Sequence, residues 1–389
     1  MARKTEQNFR KAYDRARKVN PRAITGKETA VELLDHAFGA YVGRQERTAF
    51  ELMRRSLEED ASVFLTLSGA MTPAGLHQSC IIPLVDAGAV SVITTTGANL
   101  YHDAHRVVRH HIREVNPTAG DLAYRKARII RIYDLGFDED VLLDTDRLFS
   151  AILRRPEFQR RMTTPELHFL LGKHLDLIEE ELGVEQPSLL STCYRRAVPI
   201  FSGAVQDGSI FLNVVKLKRL FPEDFKLEID VNDDVYSMAA LQHYARHHFS
   251  KRMAIWILGG GVPKNYTLQG EPLLDQILRV PTQGFDIDVQ FCVDPVDNGA
   301  LSSCPAGEGH TWGKVSADAV ETGSVYCHCD VTAVFPWLVH ALMQLKVSKR
   351  KPFRLMDHLD DAVGFLDADV KKRRKELLGT VDWTVDDAK

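Results

Sequence analysis

Strand-length apolar runs that break at glycine and then turn helical recur along this sequence, and few folds accept that pattern. The clearest is Met253-Ala254-Ile255-Trp256-Ile257-Leu258, which stops at Gly259-Gly260-Gly261 and passes through Val262-Pro263-Lys264-Asn265 into a helical stretch ending near residue 278. Six uninterrupted apolar residues suit a strand buried on both faces, as in a parallel sheet covered by helices. Residues 61–67 end in Ser68-Gly69-Ala70, where Thr72 and Pro73 read as a helix start. Residues 89–96 run into Gly97-Ala98-Asn99 and a helix through His111. Residues 127–132, 197–201, 225–229, 287–293 and 323–327 are further strand candidates. Strand, glycine turn, helix, strand predicts an α/β fold: a Rossmann-like parallel sheet with helices on both faces and ligands at the strand carboxyl ends. Residues 140–195 show helical periodicity (Leu143, Leu148, Ile152, Leu153) and read as a helical insertion between two halves of the sheet.

The chain of 389 residues divides into an N-terminal arm, 1–25, a main domain, 26–345, and a charged C-terminal tail, 346–389, with two short helical pieces. Phe9, Tyr13 and Val19 are spaced along the arm, which reads either as an amphipathic segment docking on a partner subunit or as a solvated end. A net charge of −4 disfavours nucleic acid as a partner. No apolar run reaches the ~18 residues of a membrane span. The basic start leads into no apolar signal region, and the six cysteines then read as free or buried thiols in a reducing cytoplasm.

Several residue groups invite chemistry. The turns Ser68-Gly69-Ala70, Thr95-Thr96-Gly97 and Gly259-Gly260-Gly261 follow strands, where a backbone without side chains can approach a pyrophosphate; none matches G-x-G-x-x-G. Asp207, Asp230, Asp233, Asp234 and Asp330 follow strands and suit ribose hydroxyls or ammonium groups, although each alone suits a helix cap, Asp330 above all. Residues 294–314 form a loop-like segment rich in turn residues that ends in Glu308-Gly309-His310-Thr311-Trp312-Gly313-Lys314. A segment that long inside a compact domain is functional or disordered, and Cys304, Trp312 and the Glu–Lys pair argue against disorder. Lys314, beside an indole and shielded from water, is a candidate amine nucleophile for imine formation; a surface lysine is the ordinary alternative. His243 and His247 have metal-pair spacing but no accompanying carboxylate motif, and the strand alternation in Cys327-His328-Cys329 turns the thiols away from the imidazole, so no metal site is expected.

Taken in order, residues 64–76, 95–100, 199–201 with Asp207-Gly208-Ser209, 258–264, Glu308 with Trp312-Gly313-Lys314-Val315, and Asp330 with Phe335-Pro336 resemble the deoxyhypusine synthase family across residues 26–345. The resemblance implies an NAD-dependent aminobutyl transferase acting on spermidine, with Lys314 as nucleophile, Trp312 walling the polyamine channel and Glu308 binding an ammonium group. Asp207 and Asp330 would lie at the cofactor, and Ser68, Gly69, Thr95, Thr96 and Gly260 would line it. Family members are homotetramers with sites at a dimer interface. This chain departs from the eukaryotic pattern. Asn265 stands where that pattern has a catalytic histidine, and an amide is no general base near neutral pH. Tyr101-His102 replace paired glutamates, Leu212-Asn213 replace an acidic position, and Asn298 and Leu301 replace acidic loop positions. His102 and His310 are candidates to compensate. The altered pocket predicts a small acceptor such as putrescine, giving homospermidine. A protein lysine acceptor, or a catalytically weak NAD- or polyamine-binding protein, are the alternatives.

Overall fold

A computed structural model describes residues 2–345, 350–384 and 387. Its centre is a six-stranded sheet of β1 (Ser62–Leu67), β2 (Val92–Thr95), β3 (Ile200–Phe201), β4 (Met253–Leu258), β5 (Ile287–Phe291) and β6 (Ser324–Cys327). The spatial order is β6-β5-β4-β1-β2-β3 and every pairing is parallel. This is the doubly wound order, in which the chain reverses direction across the sheet between β1 and β4. Those two central strands are buried at every residue. Their side chains alternate between two cores: Val63, Leu65, Ala254 and Trp256 lie on one face, and Phe64, Met253, Ile255 and Ile257 on the other.

Helices cover both faces. Tyr41–Glu58 and Val331–Met343 bury residues in the first core; Val231–His248 and Leu359–Lys372 do so in the second. The helix Leu359–Lys372 falls in the stretch expected as a charged tail. It buries Leu359, Ala362 and Leu366 against Met238, Leu241 and Ala245, and Asp369 meets His243 at 3.0 Å. Residues 346–349, within the same stretch, lie outside the described residues. The arm begins with the helix Ala2–Arg15, on which Phe9 and Tyr13 are exposed.

Some expectations are corrected. The insertion falls between β2 and β3, so β3 completes the first half of the sheet instead of opening the second. Residues 129–132 do form a strand, but in a separate three-stranded antiparallel sheet with Arg113–Glu114 and Leu135–Asp138. Of 225–229 only Glu228–Ile229 is extended, paired with Arg161–Met162. The helix expected through His111 ends at Asp103. Thr72 caps no helix, because its hydroxyl donates to the Asn99 carbonyl at 2.8 Å. The segment 294–314 is not wholly irregular: Ala306–Thr311 is helical.

Candidate active site

The carboxyl ends of β1 and β4 meet at the switch point. Ser68, just past β1, accepts from the Gly260 amide at 3.1 Å and donates to the Gly260 carbonyl, which ties the two strand ends together. Gly260 cannot carry a side chain, since a Cβ there would lie 2.4 Å from the Ser302 carbonyl oxygen. On the other side, the Thr96 hydroxyl donates to the Gly69 carbonyl at 2.6 Å, and Asn99 braces the turn by accepting from Met71 N at 2.7 Å and donating to Thr95 at 3.0 Å. The result is a cleft of about 580 Å³. Ser68, Gly69, Thr95, Thr96, Asp207, Gly260 and Asp330, each expected at a cofactor, all line it. Asp330 also caps Val331–Met343, accepting from Thr332 N at 2.8 Å. Asp207 is exposed at the rim, where a carboxylate can meet a ribose. A side-chain-free approach at a switch point fits a dinucleotide.

A second cleft, of about 760 Å³, shares the walls Gly261 and Val262 with the first. It holds Lys314, Trp312, Glu308 and Asn265 together. The local chain explains how. The helix Ala306–Thr311 ends in Trp312, and Gly313 takes φ +71°; the Gly313 amide bonds the His310 carbonyl at 2.9 Å and the Lys314 amide bonds the Gly309 carbonyl at 3.0 Å. This is a Schellman stop, which needs a residue at ease in the left-handed region after the cap. The Lys314 carbonyl then accepts from Phe285 N at 3.0 Å, so the backbone of Lys314 is pinned on both sides. Its ammonium donates to Asn265 Oδ1 at 3.0 Å and sits 5.8 Å from the centre of the exposed Trp312 ring. Burial pulls the Lys314 pKa below the ordinary lysine value, Cys304 and Glu308 opposing and the neighbouring Lys264 reinforcing.

His310 does not reach that amine: its Nδ1 meets the Val315 carbonyl at 2.7 Å. Nor does His102, which contacts His105 at 2.8 Å and lines a different pocket with Tyr101, Asp146 and Asn213. Burial pulls His102 down to about 4, so it is neutral at pH 7. Asp230 caps Val231–His248, and Asp234 is buried, accepting from Thr164 N and Tyr266 OH at 2.5 Å each. Among the described residues no cluster of potential metal ligands is found. Reading the sequence missed Lys264 and Asp288, buried in the floor of the lysine cleft. The available signal was polar alternation through β5 and the residue before it, where Asp286, Asp288 and Gln290 interleave with Ile287, Val289 and Phe291.

A doubly wound sheet, a glycine-walled cleft at its switch point and a pinned lysine in an adjoining cleft define the class: an α/β protein of Rossmann-like architecture. The chain belongs to the deoxyhypusine synthase family, whose members match residues 32–342. A deoxyhypusine synthase-like protein of Nostoc punctiforme is 38% identical over 341 residues, covering 87% of this chain and 86% of its own. One of Cyanothece is 36% identical over 372 residues, covering 93% and 92%. A solved structure from Entamoeba histolytica, assigned as a deoxyhypusine synthase, shares the fold with a TM-score of 0.53 at 14% identity, covering 84% of this chain and 97% of that one. Among the described residues no helix is long and apolar enough to cross a membrane.

Proposed function

We propose that this protein is an NAD-dependent transferase that moves the aminobutyl group of spermidine, or a similar polyamine, onto an acceptor amine through an imine on Lys314. The observation that carries this reading is the placement of Lys314: an amine with depressed basicity, held by its backbone, in a cleft that shares the walls Gly261 and Val262 with the glycine-walled crevice. Only the free amine attacks, so a lowered pKa raises the reactive fraction. NAD, when bound, supplies the hydride acceptor that makes the amine-bearing carbon electrophilic. Lys314 then adds to that carbon, a new C–N bond forms, and the diaminopropane nitrogen leaves with a proton. An acceptor amine displaces Lys314 by the same exchange, and the hydride held by the reduced cofactor would return to the new imine to give the saturated secondary amine. Trp312 walls the channel, Glu308 offers a carboxylate to an ammonium group, and Asn265 holds the Lys314 amine without being able to take its proton.

The acceptor in this reading is a small amine such as putrescine, giving homospermidine. Its support is the replacement of acidic positions by Tyr101, His102, Leu212, Asn213, Asn298 and Leu301. The proposal includes a cytoplasmic homotetramer with the arm, residues 1–25, against a neighbouring subunit. The test is product analysis with NAD and spermidine, adding putrescine or a protein lysine acceptor. Diaminopropane release with homospermidine formation, lost in Lys314→Ala, is expected. Transfer only to the protein would reverse the acceptor assignment. Bound NAD without any transfer would favour a binding protein.

A further inference from the structure

The face of β5 that looks toward Gly261–Leu268 carries polar side chains at alternate positions. Asp286 is satisfied: it accepts from Met253 N at 2.8 Å and pairs with Arg246 at 3.1 Å. Gln290 is satisfied: it accepts from Lys264 at 2.8 Å and donates to the carbonyls of Gly259 at 2.9 Å and Ser302 at 2.6 Å. Between them stands Asp288, only 5% exposed. Among the described residues its carboxylate has neither a hydrogen bond nor an ion pair, yet Asp288 lines the lysine cleft. Lys264 balances its charge at a distance, but the Lys264 ammonium is turned to Gln290 and to the Cys304 carbonyl, at 2.7 Å. A nine-tenths buried carboxyl without a partner is destabilising unless something supplies one.

Phe285 is paired with the Lys314–Val315 segment, and Asp288 lies three residues further along the same strand, roughly 10 Å at the usual rise. Lys314 and Asp288 line the same cleft. We infer that Asp288 receives the terminal ammonium of the four-carbon group whose other end is joined to Lys314, and so selects substrates that carry a charge at that end. This rests on the aminobutyl-transfer reading above. It also assigns a carboxylate on β5, within the same chain as the nucleophile, where the acidic positions of the eukaryotic pattern have been lost.

The experiment compares spermidine with N-butyl-1,3-diaminopropane, which has the same secondary amine, leaving group and four-carbon chain but lacks the terminal ammonium. Protein with NAD is incubated with each, quenched with borohydride, and the aminobutyl or butyl adduct on the Lys314 peptide is followed by mass. The wild type should favour spermidine at least tenfold. Asp288→Asn should bring that ratio close to one while leaving the rate with the butyl analogue unchanged. Asp288→Glu, which keeps the charge, should retain the preference and covers the case in which the amide variant does not fold. An unchanged ratio in Asp288→Asn, or an equal fall with both amines as a packing role requires, overturns the assignment. No Lys314 adduct from either amine in the wild type would instead remove the transfer reading beneath it.

Discussion

Replacing Asn265 by aspartate puts a carboxylate oxygen where the amide oxygen now sits, 3.0 Å from the Lys314 ammonium. At that separation two unit charges attract by about 1.4 kcal/mol at the dielectric of water and by about 5.5 kcal/mol at an effective dielectric of 20. Asn265 is exposed and Lys314 half-buried, so solvent screening puts the effect near the lower figure. That raises the Lys314 pKa by about one unit and cuts the free amine near neutral pH about tenfold. Asn265→Leu, which removes an acceptor from the ammonium, should move the pKa the other way. The assay is the initial rate of Lys314 adduct formation with NAD and spermidine, trapped by borohydride, across pH 7 to 10. Asn265→Asp should shift the acidic limb up by about one unit and recover at high pH. A limb that stays in place, or a loss equal at every pH, would refute the view that this contact tunes the nucleophile.

Gly260→Ala drives a methyl group to 2.4 Å from the Ser302 carbonyl and should weaken NAD binding by about tenfold or more, read by calorimetry. Burial raises Glu271 to about 7, against about 4.5 when unfolded. Because the folded form holds its proton more tightly, this group's contribution is most favourable below pH 4.5 and is lost as pH rises through 7, by about 3 kcal/mol. Glu271→Gln should therefore gain stability relative to wild type in urea melts as pH rises from 5 to 8. Leu366 is fully buried under Val231–His248, so Leu366→Ala should cost about 3 kcal/mol in the same melts while NAD affinity stays unchanged.

The sheet was legible where burial leaves a strong pattern. Residues 253–258 formed β4 at the residues read, and the edges of β1, β2, β5 and β6 moved by only a few positions. Residues 127–132 were legible as a strand but not as belonging to another sheet, since pairing partners are a tertiary property. The glycine-bearing strand ends converged on one cleft because parallel strands deliver their carboxyl ends to the same edge. The Trp-Gly-Lys run was read as loop, yet Gly313 closes a helix only two turns long, too short to show a period. Asp288 escaped notice because polar alternation in a strand looks like a solvated face until the flanking Asp286 and Gln290 are seen to be saturated inside the core.

Aminobutyl transfer in the proposed form requires that Lys314 carry the aminobutyl group. Protein incubated with NAD and labelled spermidine, reduced with borohydride and digested, tests it directly. A stable aminobutyl adduct on the peptide bearing Lys314, dependent on NAD and absent from Lys314→Ala, is the expected result. Products that form at the wild-type rate in Lys314→Ala, or label that settles on another residue, would contradict it.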